Sequence, residues 1–545
     1  MTRRRTVRGV PADLATILRD VGALVLMQAG LMTLSVGVAA AFREWYVALA
    51  FLLAGGVTAL FGGVARKWFA DAPDPQMKHG MVIAAGGWFA TATFGSLPFL
   101  FAAHFVPPEL MATFVPAGAD TSSWEPIRVG STTTLSSLAY FQNPLHAFFE
   151  SMSGWTGSGL TMAVHEPSLP HAIQWWRSLI QWVGGVGVIV LTTAILARPG
   201  SGSYTLYQAE TREERIHPSI IHTVQTVWKI FAGYTVLAIV ALFAAISLSE
   251  PLSPGTALWQ ALNHAMTGLS TGGFSVTDNS IATYDSTLVE TVLLPIMTLG
   301  AIAFPIHYMV LTNRDPRALF EDVQTKWLFV LFAVGVVALT VQNLLTPEFA
   351  RAFADEGDVL RDSVFQFVSA LTCTGFQSAP IGRWSAGGKL IVSFAMTLGG
   401  AAGSTVGGIK IIRGYTIGKG IRWQFSRVFL PSSAVVNVEI GDRLLDREGM
   451  EREFSEAAIV SMLWLLILLA SSLVMINVVG QSFTYADALF EVASAQGNVG
   501  LSAGITGPEM PALAEGMFLL NMWIGRLEII PVLVFLRSAL YGLDP

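Results

Sequence analysis

The chain has 545 residues, of which 52% are hydrophobic and only 13% charged, with a formal net charge of −6. A soluble domain carries about 25% charged residues, so this composition excludes one and marks an integral membrane protein. The single cysteine, Cys373, excludes an internal disulfide and a cysteine-based zinc site, and it reads as a small packing residue rather than a reactive thiol.

The chain begins with Arg3-Arg4-Arg5 and Arg8, followed by an apolar run from Val21 to Phe42. A signal peptide ending near Ala39-Ala40-Ala41 is one reading. The run is longer than the ~7–15 residues of a signal peptide's apolar core, which favours a retained helix. A second run, Val47 to Val64, ends in Arg66-Lys67. The two form a hairpin with basic ends on one side.

A spanning helix needs about 20 apolar residues. Further spans are expected near 80–105, 172–197, 223–248, 288–312, 327–345, 387–412, 456–479 and 513–537, ten with the hairpin. Shorter apolar segments lie between them at about 143–155, 254–268, 359–371 and 484–496. These are too short to span and read as re-entrant half-helices. Asn143-Pro144 and Ser253-Pro254 each place a capping side chain before a proline at the first helical position. Thr484 with Asp487 resembles a capping box.

Each half-helix runs into one short pattern. The four copies are Thr156-Gly157-Ser158-Gly159-Leu160, Ser270-Thr271-Gly272-Gly273-Phe274, Thr372-Cys373-Thr374-Gly375-Phe376 and Gly497-Asn498-Val499-Gly500-Leu501. The fourth residue is always glycine and the fifth always bulky. Two steps past the glycine stands Thr161, Ser275, Gln377 or Ser502. Six steps before it stands a hydroxyl: Ser153, Thr267, Ser369 or Ser494. Nine steps before it stands Glu150, His264, Gln366 or Glu491. The aligned glycines are 114, 102 and 125 residues apart, which marks an internal fourfold repeat. The expected fold is an all-α integral membrane protein. An N-terminal hairpin, residues 1–78, precedes four pseudo-symmetric helix–pore-loop–helix repeats around a central ion pore. Their expected bounds are 79–200, 201–313, 314–428 (with a gate loop) and 429–545.

Basic residues set the orientation. Arg66, Lys67 and Lys78 share a side with Arg212 and Arg215, with Arg314, Arg317 and Lys326, and with Lys410, Arg413, Lys419, Arg422 and Arg427. That side is expected to be cytoplasmic, with both termini. The charged loop of about 413–455 is the longest on that side.

Backbone at mid-membrane must be buried or line a water-filled path. Four glycine-bearing strands meeting on an axis can turn carbonyl oxygens inward and replace an ion's hydration shell. Glycine tolerates φ > 0 and leaves the path clear. The half-helix C-termini add partial negative charge that favours a cation. Glycine-rich helix packing is the alternative. It does not explain four copies in register behind segments too short to span.

At this point the residues resemble a family. Gln181-Trp182-Val183-Gly184-Gly185-Val186-Gly187, Ser270-Thr271-Gly272-Gly273-Phe274-Ser275, the run from Gly399 through Gly400, Gly403, Ser404, Thr405, Gly407 and Gly408 to Lys410, and Gly525-Arg526-Leu527-Glu528 are similar to the Trk/Ktr/HKT superfamily of potassium transporters. The leading hairpin matches the TrkH type, and Gly497 to Ser502 looks more like the KtrB type. The resemblance covers nearly the whole chain. It implies potassium uptake across the plasma (bacterial inner) membrane, with potassium as substrate held at Gly159, Gly273, Gly375 and Gly500. It implies a homodimer with one pore per subunit, surrounded by lipid. It also implies a cytoplasmic nucleotide-binding regulator of the RCK type, TrkA-like. The four strands, through Thr156, Gly157, Ser158, Ser270, Thr271, Gly272, Thr372, Cys373, Thr374, Gly497, Asn498 and Val499 as well, become the selectivity filter. The run 399–408 becomes an intramembrane gate, and Arg526 a charge beside the pore just below the filter.

Read by themselves, the remaining residues are less specific. Arg526 sits near the middle of the last span, where a charge costs from ~2.5 kcal/mol upward and therefore faces protein or water. A packed, paired arginine is the plainer reading. Glu528 lies on another helix face and is not its obvious partner. The run 399–408 lacks Gly-Lys-Ser/Thr and a preceding strand, so it is no phosphate loop but a flexible break in a helix. Glu150 and Glu491 read as buried carboxylates bonded to neighbouring backbone. Lys229 snorkels at a membrane end. His146, His165, His217 and His264 show no metal-ligand spacing. No nucleophile with its base stands at membrane depth, so no enzyme, cofactor or nucleic-acid partner is expected. A sodium-permeable or ion-coupled symporter of the same superfamily is the alternative function. In plant relatives a serine at the first filter glycine marks sodium preference, and here that position is Gly159.

Overall fold

A computed structural model describes residues 6–119, 121–122, 124–196, 220–346, 356–429, 437–441 and 443–543. Arg3-Arg4-Arg5, Arg212, Arg215, His217 and the expected boundary at 200/201 lie outside the described residues. Among the described residues, strands are confined to three small antiparallel hairpins, at Thr6–Val7 with Val10–Pro11, Ile127–Val129 with Thr132–Thr134, and Val438–Ile440 with Arg443–Leu445. The rest is helix and connection.

Six described helices are long and apolar enough to cross a membrane alone: Ala12–Ala41, Trp45–Trp68, Lys78–Phe105, His222–Ser249, Val323–Leu345 and Arg447–Val478. The first two form the expected hairpin. They cross at small residues, where Gly62 approaches so closely that a Cβ would stand 2.7 Å from the Gly22 carbonyl. The hairpin is bonded to the body at mid-helix and at its turn. Gln28 Nε2 donates to the Thr91 carbonyl at 2.9 Å, and Glu44 accepts from the backbone N–H groups of His171 and Ala172 at 2.7 and 3.0 Å.

Three expected spans are broken. The span near 288–312 is two helices, Thr287–Ala301 and Phe304–Asn313, bent by 105°. The span near 513–537 is Ala512–Leu527 and Ile529–Tyr541, bent by 118° about Glu528, whose φ is 66°. The span near 387–412 is a helix at Ala386–Thr397, a long non-helical segment, and a helix at Ile411–Val428. Apolar residues run on through the first break, so hydropathy does not see it, whereas the second falls at Arg526-Leu527-Glu528, where two charges interrupt an otherwise apolar span. The second helix of the first repeat, His171–Leu196, stays continuous.

The half-helices are Pro144–Thr156, Pro254–Leu269, Glu356–Leu371 and Tyr485–Gly497. Their expected caps form. Asn143 accepts from Leu145 N, Ser253 from Thr256 N, and Thr484 with Asp487 makes a capping box.

Polar side chains face each other between the second helix of each repeat and the half-helix of the next, and three of the four pairs are bonded. Trp259 donates to Gln174 at 2.7 Å between the first and second repeats. Glu290 holds Arg361 at 2.8 Å between the second and third. Lys389 holds Asp487 at 2.5 Å between the third and fourth. Glu515 approaches His146 to 3.7 Å, beyond hydrogen-bond reach, at the junction of the fourth and first repeats. The repeats thus surround one axis with a constant sense of rotation.

Candidate functional site: a ring of four glycine strands

All four half-helices end the same way. The second pattern residue is left-handed: Gly157 (φ 67°), Thr271 (52°), Cys373 (50°) and Asn498 (55°). Its N–H bonds three residues back, to Gly154, Gly268, Ala370 and Ala495. The N–H of the third residue reaches five back, at 2.8–2.9 Å, to the carbonyls of Ser153, Thr267, Ser369 and Ser494. This is the Schellman motif, written four times. The hydroxyl residue six before the glycine is its acceptor. A side chain in this conformation costs roughly 1–2 kcal/mol, most for branched Thr271. The Thr271 hydroxyl meets that of Thr405 at 2.9 Å.

The fourth residues, Gly159, Gly273, Gly375 and Gly500, are also left-handed, with φ from 73° to 106°. Each packs against the third-position carbonyl of the next repeat. A Cβ on Gly159 would meet Gly272 O, one on Gly273 Thr374 O, one on Gly375 Val499 O, and one on Gly500 Ser158 O, all under 3.0 Å. The four contacts close into a ring, and glycine is required at each by both conformation and space.

Behind the ring, the bulky fifth residues Leu160, Phe274, Phe376 and Leu501 are buried. The residues at minus nine and plus two are partners. Glu150 accepts from Thr161 at 2.9 Å, His264 bonds Ser275 at 3.0 Å, and Glu491 accepts from Ser502 at 2.6 Å. In the third repeat Gln366 reaches one residue further, to Ser378 at 3.0 Å. Glu150 also accepts from Met162 N and pairs with Arg177 at 2.7 Å, and Glu491 also accepts from Ala503 N and Thr506 N. Both carboxylates therefore fasten the strand's exit and bond to neighbouring backbone.

A second glycine series, not recognised from the sequence, lies on the second helices: Gly184, Gly300, Gly399 and Gly525. Three of them pack on the carbonyl just before the pattern, Trp155, Leu269 and Gln496 respectively. Gly399 instead faces Gly407 O, because here the helix opens into the loop.

That loop is docked on the broken helix of the second repeat. Pro305 has no N–H to offer Ala301, so the Ala301 carbonyl accepts from Ala401 N at 3.0 Å. Gly300 O accepts from Thr405 N at 3.2 Å and Thr405 Oγ1 at 3.0 Å. Phe304 N donates to Gly403 O at 3.1 Å. Each break thus satisfies the other's orphan groups. Gly407 lies against Gly497 O and Asn498, and Thr405 against Thr271, so the loop meets the ring at the second and fourth strands. Gly400 packs on Ala301, while Gly408 lies over Gly399 where the loop closes. Gly403 faces the second repeat. Ser404 bonds within the loop, to Ala401 O at 2.6 Å, and does not reach Arg526.

Arg526 is buried beneath the first strand. Its guanidinium donates to Thr405 O, to Gly184 O at 2.8 Å and to Gly185 O at 3.2 Å, and a Cβ on Gly157 would lie 3.7 Å from it. Its partners are carbonyls, not a carboxylate. Glu528 pairs instead with Arg413, at 2.5 Å, at the start of the helix that follows the loop. Cys373 is buried in the third strand.

The ring concentrates backbone oxygens and the negative ends of four helices, with a fixed positive charge on the loop side. Backbone oxygens and helix C-termini so arranged can coordinate a cation.

Comparison with known proteins agrees. The family model TrkH, described as a cation transport protein, matches residues 79–540. An uncharacterized cation transporter of Methanocaldococcus jannaschii is 31% identical, with 96% of each chain covered. The Trk system potassium uptake protein TrkH of Halomonas elongata is 29% identical over 97% of this chain and 99% of its own. The crystal structure of the potassium transporter TrkH from Vibrio parahaemolyticus superposes with a TM-score of 0.76 at 23% identity, covering 97% of this chain and 99% of that one. The ring, its repeats and these matches make this chain a member of the TrkH family of cation transport proteins.

Proposed function

We propose that the chain takes up potassium ions across the plasma membrane through the four-strand ring, which acts as a carbonyl selectivity filter. The observation that carries this reading is the closed ring in which each of Gly159, Gly273, Gly375 and Gly500 abuts the carbonyl of the next repeat. Carbonyls held at fixed spacing replace the hydration shell of one ion size better than another. Relatives across the full length bear a potassium-uptake name, which supports the choice of ion.

The loop 399–408 is the gate, and Arg526 holds it closed under the ring. A regulator of the nucleotide-binding RCK type pulls on it through the helix Ile411–Val428, whose far end exposes Arg422, Arg427, Phe425 and Phe429. The basic loops support a cytoplasmic position for this face and both termini, at the bacterial inner membrane. The working unit is a homodimer with one pore in each subunit.

Purified protein in liposomes tests the reading. Potassium flux is expected to exceed sodium flux at least tenfold. Equal fluxes overturn it in favour of the sodium-permeable alternative. Potassium accumulation that follows a sodium or proton gradient marks ion-coupled symport instead. A mass by light scattering near one copy, after subtraction of detergent, overturns the dimer.

A further inference from the structure

We propose that Gln181 is a positioning residue that sets ion selectivity by clamping the second filter strand. This rests on the filter reading above. Gln181 stands on the second helix of the first repeat and is fully buried. Its Nε2 donates to Gly272 O at 2.6 Å, and its Oε1 accepts from Phe274 N at 3.0 Å. The two bonds straddle Gly273. A carbonyl only accepts and a backbone N–H only donates, so the partners fix the amide's orientation. The fit is tight: a Cβ on Gly272 would stand 2.5 Å from the Gln181 amide.

Among the described residues, the other repeats have no such clamp. Three residues before each second-helix glycine, where Gln181 precedes Gly184, stand Met297, Met396 and Met522. A thioether donates nothing. Among the described residues, the backbones of Thr372–Phe376 and Gly497–Leu501 take side-chain bonds only from their own half-helices, and the first bond from another repeat, Gln377 N to Ser280 Oγ at 3.1 Å, lies past the third pattern. Ser369 donates to Phe376 O at 2.8 Å, and Ser494 accepts from Gly500 N at 3.0 Å.

The clamped carbonyl belongs to the ring. Gly272 O is the oxygen against which Gly159 packs, and its counterparts are Ser158, Thr374 and Val499. Of the four, Gly272 O alone accepts a side-chain hydrogen bond among the described residues. Its direction is therefore set by Gln181 and not by the ion. A strand held on both sides of Gly273 cannot follow a smaller ion inward. The clamp thus favours the larger of two monovalent cations.

Gln181→Met gives the first repeat the residue of the other three at similar volume, which a packed core tolerates. It releases Gly272 O and leaves Phe274 N–H without its acceptor. Liposome flux is expected to continue, with the potassium-to-sodium ratio lowered about tenfold, the size of one lost buried hydrogen bond. Gln181→Glu supplies a readout that packing alone does not move. Its protonated carboxyl makes both bonds, and its ionised form cannot donate to Gly272 O. Its ion ratio is expected to rise as pH falls from about 8 to 4, while the wild type stays flat. If Gln181→Met does not fold, Gln181→Glu carries the test. An unchanged ratio in the folded Met variant, or a flat pH response in the Glu variant, overturns the clamp. Wild-type protein that passes sodium as fast as potassium overturns the potassium reading instead, and the clamp is then judged on the shift in ratio between wild type and variants.

Discussion

The guanidinium of Arg526 donates to the carbonyl of Thr405, so the helix Ala512–Leu527 holds the tip of the loop that interrupts the third repeat. The same group bonds Gly184 and Gly185 on the first repeat's second helix. One side chain thereby ties three repeats together under the ring. Hydrogen bonds from charged groups contribute about 1.5–3 kcal/mol each, enough to bias a loop without locking it.

Arg526→Ala removes that tie and a fixed positive charge beside the path. We expect potassium flux to rise roughly tenfold or more, with weaker dependence on any regulator. Single-channel or liposome recordings check this. Unaltered currents in a folded variant reduce Arg526 to a packing role.

Shortening the loop is the complementary experiment. Gly399 N donates to Ile409 O at 2.7 Å and Ile411 N to Gly400 O at 3.2 Å, so the two ends of the loop already touch. A deletion within 401–407 leaves ends that can be rejoined. It should give high flux, retained potassium selectivity and no response to the regulator. A folded deletion protein that stays closed places the gate elsewhere.

Gly159→Ser probes the ring itself. Gly159 has φ 73°, and its Cβ would meet the Gly272 carbonyl. The strand must shift, and the left-handed conformation adds roughly 1–2 kcal/mol. We expect a folded, somewhat less stable protein whose potassium-to-sodium ratio drops about tenfold or more. The same ratio in ion-competition flux assays would count against the alignment of the four strands.

Glu166, in the connection after the first strand, gives a pH prediction. Burial pushes its carboxyl up to about 8, with Arg177 opposing the shift. Its Oε2 has no hydrogen-bond partner among the described residues. A carboxyl with a raised folded-state pKa binds its proton more tightly in the folded state. Its stabilising contribution is complete below the ordinary value near 4.5 and is lost as pH rises through about 8. Thermal stability should therefore fall over that window and level off above it. Glu166→Gln should flatten the window, as followed by melting in detergent. An equally steep profile in the variant assigns the dependence to other groups.

The parts of the site that the sequence revealed are those whose partners lie at fixed chain distance. Glu150 with Thr161, His264 with Ser275 and Glu491 with Ser502 are each eleven residues apart, within one half-helix and its strand. A constant offset of that kind shows in an alignment of the repeats. Caps were visible for the same reason, since Asn143, Ser253 and Thr484 act within three residues. Partners that the fold brings from afar left no such trace. Arg413 meets Glu528 across 115 residues, and Lys389 meets Asp487 across 98. The break at Ala301 stayed hidden because apolar residues continue through it, and the one at Leu527 because two charges, Arg526 and Glu528, do not by themselves end an apolar span. Pro305 was the available signal for the first, since it deprives Ala301 of its helical donor. The second glycine series drifts in spacing from the first, and single glycines are common in membrane helices.

Because all four strands belong to one polypeptide, a single codon change touches one quarter of the ring. In a pore built from four identical chains the same change strikes every quarter at once. Here each strand can diverge alone, as Thr271, Cys373 and Asn498 already have at a position that is glycine in the first strand. On the proposed filter reading, ion preference can therefore be graded in small steps, with three unaltered strands keeping the passage open while the fourth is changed.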